Sequence, residues 1–333
     1  MQADRTRMGR GRTAMNVGTV AVFGASGKLG RQVLRVLERR GARIRALVHK
    51  TLVEAARLTA VRGSVTDPDV VAEVVRGADA VVQLATTKED PGTFFDVSLR
   101  GTFHILEACR NERIQQFILF GGDAAMGIWF YPQPIPIDEN HPRAAYPGYY
   151  AFSKVIEEAM TEQYAAQYGV PHSILRSSWV FEGDDLLNHF SLLRNVNLAE
   201  KGHGFGEVSE EVLALVRAGQ ERIPILVNAQ GVPFRRHIVH VDDVMQALGR
   251  MLGNPSALGQ SFNIAAPAPF DYRVAAEYLS AKTGIPTIEL RCPQYHSFEI
   301  NITRARAVLG YAPENDFFRM ADRAIEARAA CGR

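Results

Sequence analysis

The stretch TVAVFGASGKLG, Thr19 to Gly30, decides the fold. Its first five residues form an unbroken apolar, β-branched run, the pattern of a strand buried on both faces. Gly24, Gly27 and Gly30 follow at intervals of three, and Lys28 to Arg40 then places Leu29, Val33, Leu34, Val36 and Leu37 on one helical face. Glycines so spaced let the chain turn tightly, let backbone amides approach an anion, and let the helix lie close on the strand. The helix N-terminus, with its unpaired amides, favours a phosphate there.

The rest of the chain keeps this rhythm. Arg43 to Val48, Thr59 to Arg62, Ala80 to Ala85, Gln116 to Phe120 and Pro171 to Arg176 read as strands. Pro68 to Arg76, Phe94 to Arg110 and Tyr149 to Gln167 read as helices between them. Such alternation requires parallel pairing through right-handed crossovers. The expected fold is α/β: a Rossmann-type doubly wound parallel sheet with a smaller, discontinuous C-terminal substrate lobe. Residues 17–180 form the dinucleotide-binding domain and 235–266 return to it, through strands at Arg236 to Val241 and Ser261 to Ile264. Residues 181–234, helical and loop-like, and 267–333, with helices at Tyr272 to Thr283 and Thr303 to Leu309, make up the lobe.

In that setting the glycine trio points to a dinucleotide, with Gly24, Ser26, Gly27, Lys28, Leu29 and Gly30 around its pyrophosphate. An acidic residue at the end of the second strand would hold the ribose hydroxyls of NAD. Here that strand end offers His49 and Lys50 and no carboxylate. Lys50 would attract a 2′-phosphate, so NADP is the preferred cofactor and NAD the alternative. Ser64 and Val65, after the third strand, are placed to flank the adenine.

Tyr150 and Lys154 stand four residues apart on a predicted helix and so face the same way. A free phenol has a pKa near 10, and a neighbouring ammonium stabilises the phenolate. Tyr150 can then exchange a proton with a substrate oxygen while the nicotinamide moves a hydride.

These motifs resemble the extended short-chain dehydrogenase/reductase family, in particular its NAD-dependent epimerase/dehydratase branch. The resemblance spans nearly the whole chain after Val17 and rests on GASGKLG, VVQLATT, LRGTFHILEACR, PIDENHP, YYAFSK, LRSSWVFEG, RHIVHVDDV and NITRARAVLGYAP. It implies Tyr150 as acid/base, Lys154 as its partner, and cofactor contacts at Gly24, Ser26, Gly27, Lys28, Leu84, Ala85, Ser178 and Val180, with Thr86 beside them. It also implies a homodimer in which helices 94–110 and 149–167 pair into a four-helix interface.

The chain departs from that family after the fifth strand, where a Ser or Thr usually donates to the reacting oxygen. FILFGGDAAMG puts Gly122 at that position, between Gly121 and Asp123. Losing such a donor typically costs about 10²–10³ in rate. Asp123, Thr86 or Thr87 can take over the role, or Gly121 and Gly122 make room for a bulkier substrate; Asp123 reads equally as a catalytic group and as a turn carboxylate bonding local amides. Arg236 matches a family arginine that contacts a substrate phosphate, and Trp129 stands where an aromatic ring can stack on a sugar. His237, His240, Asp242 and Asp243 lie close in sequence but lack a metal-ligand spacing, and no metal is expected.

Composition narrows the function classes. An apolar fraction of 47% and a charged fraction of 22% are ordinary globular usage and exclude wholesale disorder. With 38 basic against 36 acidic residues nothing points to nucleic acid, and no apolar run is long enough to span a membrane. The local excess of Arg5, Arg7, Arg10 and Arg12 over Asp4 marks residues 1–16 as a disordered basic leader. Cys109, Cys292 and Cys331 are too scattered for a disulfide framework and fit a cytoplasmic protein. The function expected is an NAD(P)-dependent oxidoreductase acting on a secondary alcohol or carbonyl of a small polar, sugar-like molecule. A nucleotide-sugar epimerase or dehydratase with retained NAD, and a non-catalytic dinucleotide sensor, are the rivals.

Overall fold

Strand β1 (Thr19–Phe23) is buried at every position, as its unbroken apolar run requires. In the computed structural model, which describes residues 14–200, 202–203, 206–330 and 332, it leads into α1 (Lys28–Arg39). Residues 1–13 of the expected leader lie outside the described residues. The chain continues through β2 (Arg43–Val48), β3 (Leu58–Arg62), α2 (Pro68–Val75), β4 (Ala80–Gln83), α3 (Gly101–Glu112), β5 (Gln116–Gly122), α4 (Tyr149–Tyr168) and β6 (His172–Ser177). Next come β7 (Trp179–Phe181), β8 (Ile223–Val227), β9 (Arg235–Arg236), β10 (Ile238–His240), α5 (Val241–Met251) and β11 (Gln260–Ile264). Strand β12 (Phe270–Asp271), α6 (Tyr272–Thr283), β13 (Thr287–Arg291) and α7 (Phe317–Ala330) complete the main elements.

Seven parallel strands form the main sheet in the order β11-β6-β5-β4-β1-β2-β3. The order reverses between β1 and β4, which opens a crevice beyond their C-terminal ends. Val33 and Leu37 of α1 share one core with Val244 and Leu248 of α5. Val71 and Val74 of α2, Ile105 and Leu106 of α3, and Tyr164 of α4 belong to a second core. Capping sets where α2 begins: the Asp67 carboxylate accepts from the amides of Asp69 and Val70, and Pro68 fills the first helical position.

The structure corrects the boundaries in four places. Of the two strands expected to return, β11 joins the main sheet beside β6, whereas Ile238–His240 pairs with β7 outside it. The expected strand at Arg236 to Val241 is broken at His237, and His240 instead caps α5 by accepting from the Asp242 amide at 3.1 Å. Phe94 to Arg100, read as the start of one α-helix, is π-helical before α3 begins. The segment 181–234 holds a fully buried strand, β8, paired parallel with β13; its brevity and Pro224 hide it in the sequence. Among the described residues no helix is long and apolar enough to cross a membrane.

A buried ion pair ties the sheet to α4. Arg176 on β6 donates from Nε and Nη2 to the Glu158 carboxylate at 2.9 and 2.7 Å, both side chains being buried. Its Nη1 donates to the Glu139 carbonyl, and the Glu139 carboxylate accepts from the Asn263 amide on β11. This network explains Gly121: a Cβ there would lie 2.8 Å from Glu158 Oε1. The glycine therefore makes room for the ion pair, and it also lines the cavity in the crevice beyond β1 and β4. Replacing Arg176 with Met should leave Glu158 buried without its bidentate partner and cost about 3–5 kcal/mol, read from the denaturant midpoint.

Candidate active site

The crevice at the strand reversal is a cavity lined by the phosphate loop, the end of β4, the end of β5, the start of α4 and the β6–β7 segment. At its floor, Gly24 has φ +85° and a Cβ there would lie 2.7 Å from the Ala85 amide nitrogen. A Cβ at Gly30 would lie 2.7 Å from the Ala25 carbonyl carbon. Only glycines allow the loop, β4 and α1 to approach this closely. No side chain caps the first turn of α1, so its amides are free to receive an anion. Ser26 and Leu29 are half-buried in the same loop, and Lys28, on the rim, is ion-paired with Asp185.

The other expected cofactor residues divide into two groups. Leu84, Thr86, Ser178 and Val180 line the cavity, and Ala85 packs beside it with its amide accepted by the Gln83 side chain. His49 and Lys50 are exposed at the end of β2 and form no part of the lining, nor do Ser64 and Val65. Val65 is buried and presses on Gly101, where a Cβ would lie 2.8 Å from its Cγ1. The Thr87 amide donates to Ser98 Oγ, and Thr87 is not among the lining residues, although Thr86 and Lys88 on either side of it are.

Helix α4 delivers Tyr150 and Lys154. Its N-terminus is capped from the β4 loop by Glu89, which accepts from the Tyr149 and Tyr150 amides at 2.7 and 3.4 Å. A Cβ at Gly122 would stand 3.6 Å from the Tyr150 hydroxyl, so a Ser at this position would face the phenol directly. Burial pushes the Tyr150 phenol up, against the pull of Lys154. It therefore stays protonated at neutral pH and is poised to give a proton. Lys154 is buried, with Nζ 5.5 Å from the Tyr150 ring centroid.

Asp123 follows Gly122 and is 5% exposed. Ser178 Oγ lies 2.9 Å from its Oδ2 and 2.9 Å from the His237 carbonyl. The single hydroxyl hydrogen of Ser178 is thus shared between the Asp123 carboxylate and the His237 carbonyl. Burial, opposed by Ser178 and Arg236, raises its carboxyl to about 6.

Trp129 and Arg236 sit elsewhere than the sequence suggested. Trp129 is 2% exposed inside an aromatic cluster with Phe234, Tyr295, Tyr272 and Phe298. Arg236 is fully buried, its Cζ 3.1 Å from the Trp179 ring centroid and 4.7 Å from that of Trp129. Trp179 lines the cavity; Trp129 and Arg236 do not. The nearby histidines have structural partners: His237 accepts from the Ile300 amide at 2.8 Å, and burial lowers it to about 3, while Asp243 holds the Asn315 side chain.

Residues 20–265 match the model of the NAD dependent epimerase/dehydratase family. The chain belongs to that family. A short-chain dehydrogenase/reductase superfamily protein from Agrobacterium tumefaciens, with bound NAD, superimposes with a TM-score of 0.81 at 23% identity, over 94% of this chain and 98% of the other. The UDP-glucuronic acid 4-epimerase from Bacillus cereus, in complex with NAD, gives 0.72 at 16% identity, over 95% and 98%. A 4-hydroxy-2-methyl-3-oxo-4-farnesyl-3,4-dihydroquinoline-1-oxide ketoreductase from Stigmatella aurantiaca is 26% identical over 174 residues, 49% of this chain and 51% of its own length. For the first two curated relatives the matched share of their own length is about a third.

Several residues of this epimerase/dehydratase-family site escape a reading of sequence. Tyr146 lines the cavity with its ring stacked on Phe130 at 4.7 Å, yet it precedes α4 and carries no periodic signal. Glu89 and Asp185 reach the site across loops. Between about pH 4 and about pH 6 the folded protein holds a proton on Asp123 that the unfolded chain has lost, so stability falls as pH rises through that window. Asp123→Asn should remove the loss, worth up to about 3 kcal/mol. Its melting temperature should match that of the wild type near pH 4 and exceed it at pH 8.

Proposed function

We propose that this protein is an NAD(P)-dependent oxidoreductase that reduces a carbonyl of a small polar, sugar-like molecule, or runs the reverse reaction. The observation that carries this reading is the Tyr150 phenol facing Gly122, with Lys154 against its ring, in the crevice beyond β1 and β4. The glycine cradle and the uncapped start of α1 fit a pyrophosphate, with Gly24, Ser26, Gly27, Lys28, Leu29 and Gly30 holding it. When bound, the nicotinamide supplies or accepts the hydride. Tyr150 gives its proton to the substrate oxygen, and Lys154 stabilises the phenolate left behind. Asp123 and the Tyr146 hydroxyl stand in for the absent Ser, as polar groups at the same end of the cavity. Thr86, Ser177 and Ser178 add further hydroxyls, which suit a polar substrate.

Lys50 at the end of β2, with no carboxylate beside it, favours NADP, and the family description and the neighbours' names favour NAD. A second reading, an epimerase or dehydratase with retained NAD, is supported by contacts spanning the cleft. Lys28 of α1 pairs with Asp185, and Gln32 with Glu182. Tyr150→Phe should lower turnover of an NAD(P)H-dependent ketone substrate by about 10²–10³ while leaving dinucleotide binding within a factor of two to three. Cofactor that survives purification, with no net oxidation of NAD(P)H during turnover, would select the second reading.

The homodimer expected from family resemblance has a candidate face. Phe95, Phe103, Phe152 and Tyr168 are 45–57% exposed on the 94–112 segment and α4. Burying such rings in a second copy removes large apolar area from water. Phe103→Glu together with Phe152→Glu should shift the sedimentation coefficient from dimer to monomer.

A further inference from the structure

One buried charge on α4 has no part in the chemistry above. Glu157 stands three residues after Lys154, is fully buried, and accepts from Lys154 Nζ at 2.9 Å. Lys154 Nζ also donates to the Phe120 carbonyl on β5 at 3.1 Å. An ammonium has three N–H donors, so these two contacts leave one for the cavity. The neighbouring carboxylate, Glu158, is taken by Arg176 at 2.7 Å and faces Arg143 at 3.7 Å. Asp123, at the end of β5, is bonded to Ser178, and Tyr150 on α4 is protonated. Among the described residues Glu157 is thus the carboxylate that compensates Lys154.

We propose that Glu157 is a positioning residue, which holds Lys154 in its ammonium form on the Phe120 carbonyl and leaves one N–H for Tyr150 and a cofactor ribose. The proposal rests on the reading of Tyr150 and Lys154 as the catalytic pair. Its physical basis is that a lysine buried this deeply loses its proton easily unless a negative charge stands against it. Burial lowers the Lys154 ammonium, but the charge and hydrogen bond of Glu157 oppose it, and the ammonium is held above the usual lysine range. Removing the Glu157 charge lets burial act, so the Lys154 proton is lost at lower pH. A carboxylate that served packing alone would leave the lysine titration unmoved.

The chain has six lysines, which makes the test direct. In protein labelled with ¹³C,¹⁵N-lysine, the Lys154 signal is the one absent from Lys154→Met. It should show no deprotonation up to pH 10 in the wild type, and in Glu157→Gln its midpoint should fall by at least about one pH unit below the usual lysine value. An unchanged midpoint overturns the proposal. Binding of NADPH and NADH, followed by their fluorescence, should be flat with pH in the wild type and weaken about tenfold across the new midpoint in Glu157→Gln; flat binding in both proteins, with the midpoint moved, overturns the positioning role. If the wild type binds neither dinucleotide, the reading of the site fails, while the lysine titration still decides whether Glu157 controls Lys154. Should Glu157→Gln not fold, adding Lys154→Met removes the stranded charge and should restore a folded protein; no restoration overturns the proposal.

Discussion

The bidentate contact between Arg176 and Glu158 is the constraint from which the rest of the site follows. It fixes α4 to β6 through two charges that have left water, an arrangement stable only when both partners are in place and their remaining hydrogen-bonding groups are satisfied. The Glu139 carbonyl satisfies Arg176, and the Glu139 side chain in turn holds β11. Because the pair needs room, β5 has a glycine at 121, and because α4 cannot slide, the phenol one helical face away meets β5 at residue 122. A structural salt bridge and the placement of Tyr150 in the crevice are thus two faces of one helix.

A second constraint is closeness of backbone. The phosphate loop, β4 and α1 approach within distances that forbid a Cβ at Gly24 or Gly30. The amides of the α1 N-terminus are therefore presented without intervening side chains. Polar groups of the cavity come from separate segments, each held by its own local device: Glu89 caps α4, Ser178 binds Asp123, and Phe130 stacks on Tyr146.

What could be read from the sequence was whatever repeats or recurs locally. The strands of the sheet are unbroken apolar runs, the glycine trio lies at one junction, and Tyr150 and Lys154 are one helical turn apart, so each is carried by neighbouring residues. Trp129 and Arg236 show where such reading stops. An aromatic beside prolines and an arginine at a strand end look alike whether they face a ligand or stack on each other, and only the packing of Trp179, Tyr272 and Phe298 around them decides. Tyr146, Glu89 and Glu157 were equally hidden: the first two act across loops, and the third is one carboxylate in a helix that has several.

The seventh strand has a consequence for how the chain is made. Strand β11 covers the outer edge of β6, yet more than eighty residues separate them in sequence. During synthesis the first six strands emerge as a nearly complete sheet whose last edge is bare, and such edges pair readily with other chains. The pairing that closes this edge is among the most distant in the fold, so it forms late and slowly. Until residue 264 has left the ribosome, β6 and the Arg176 it carries are the nascent chain's exposed flank.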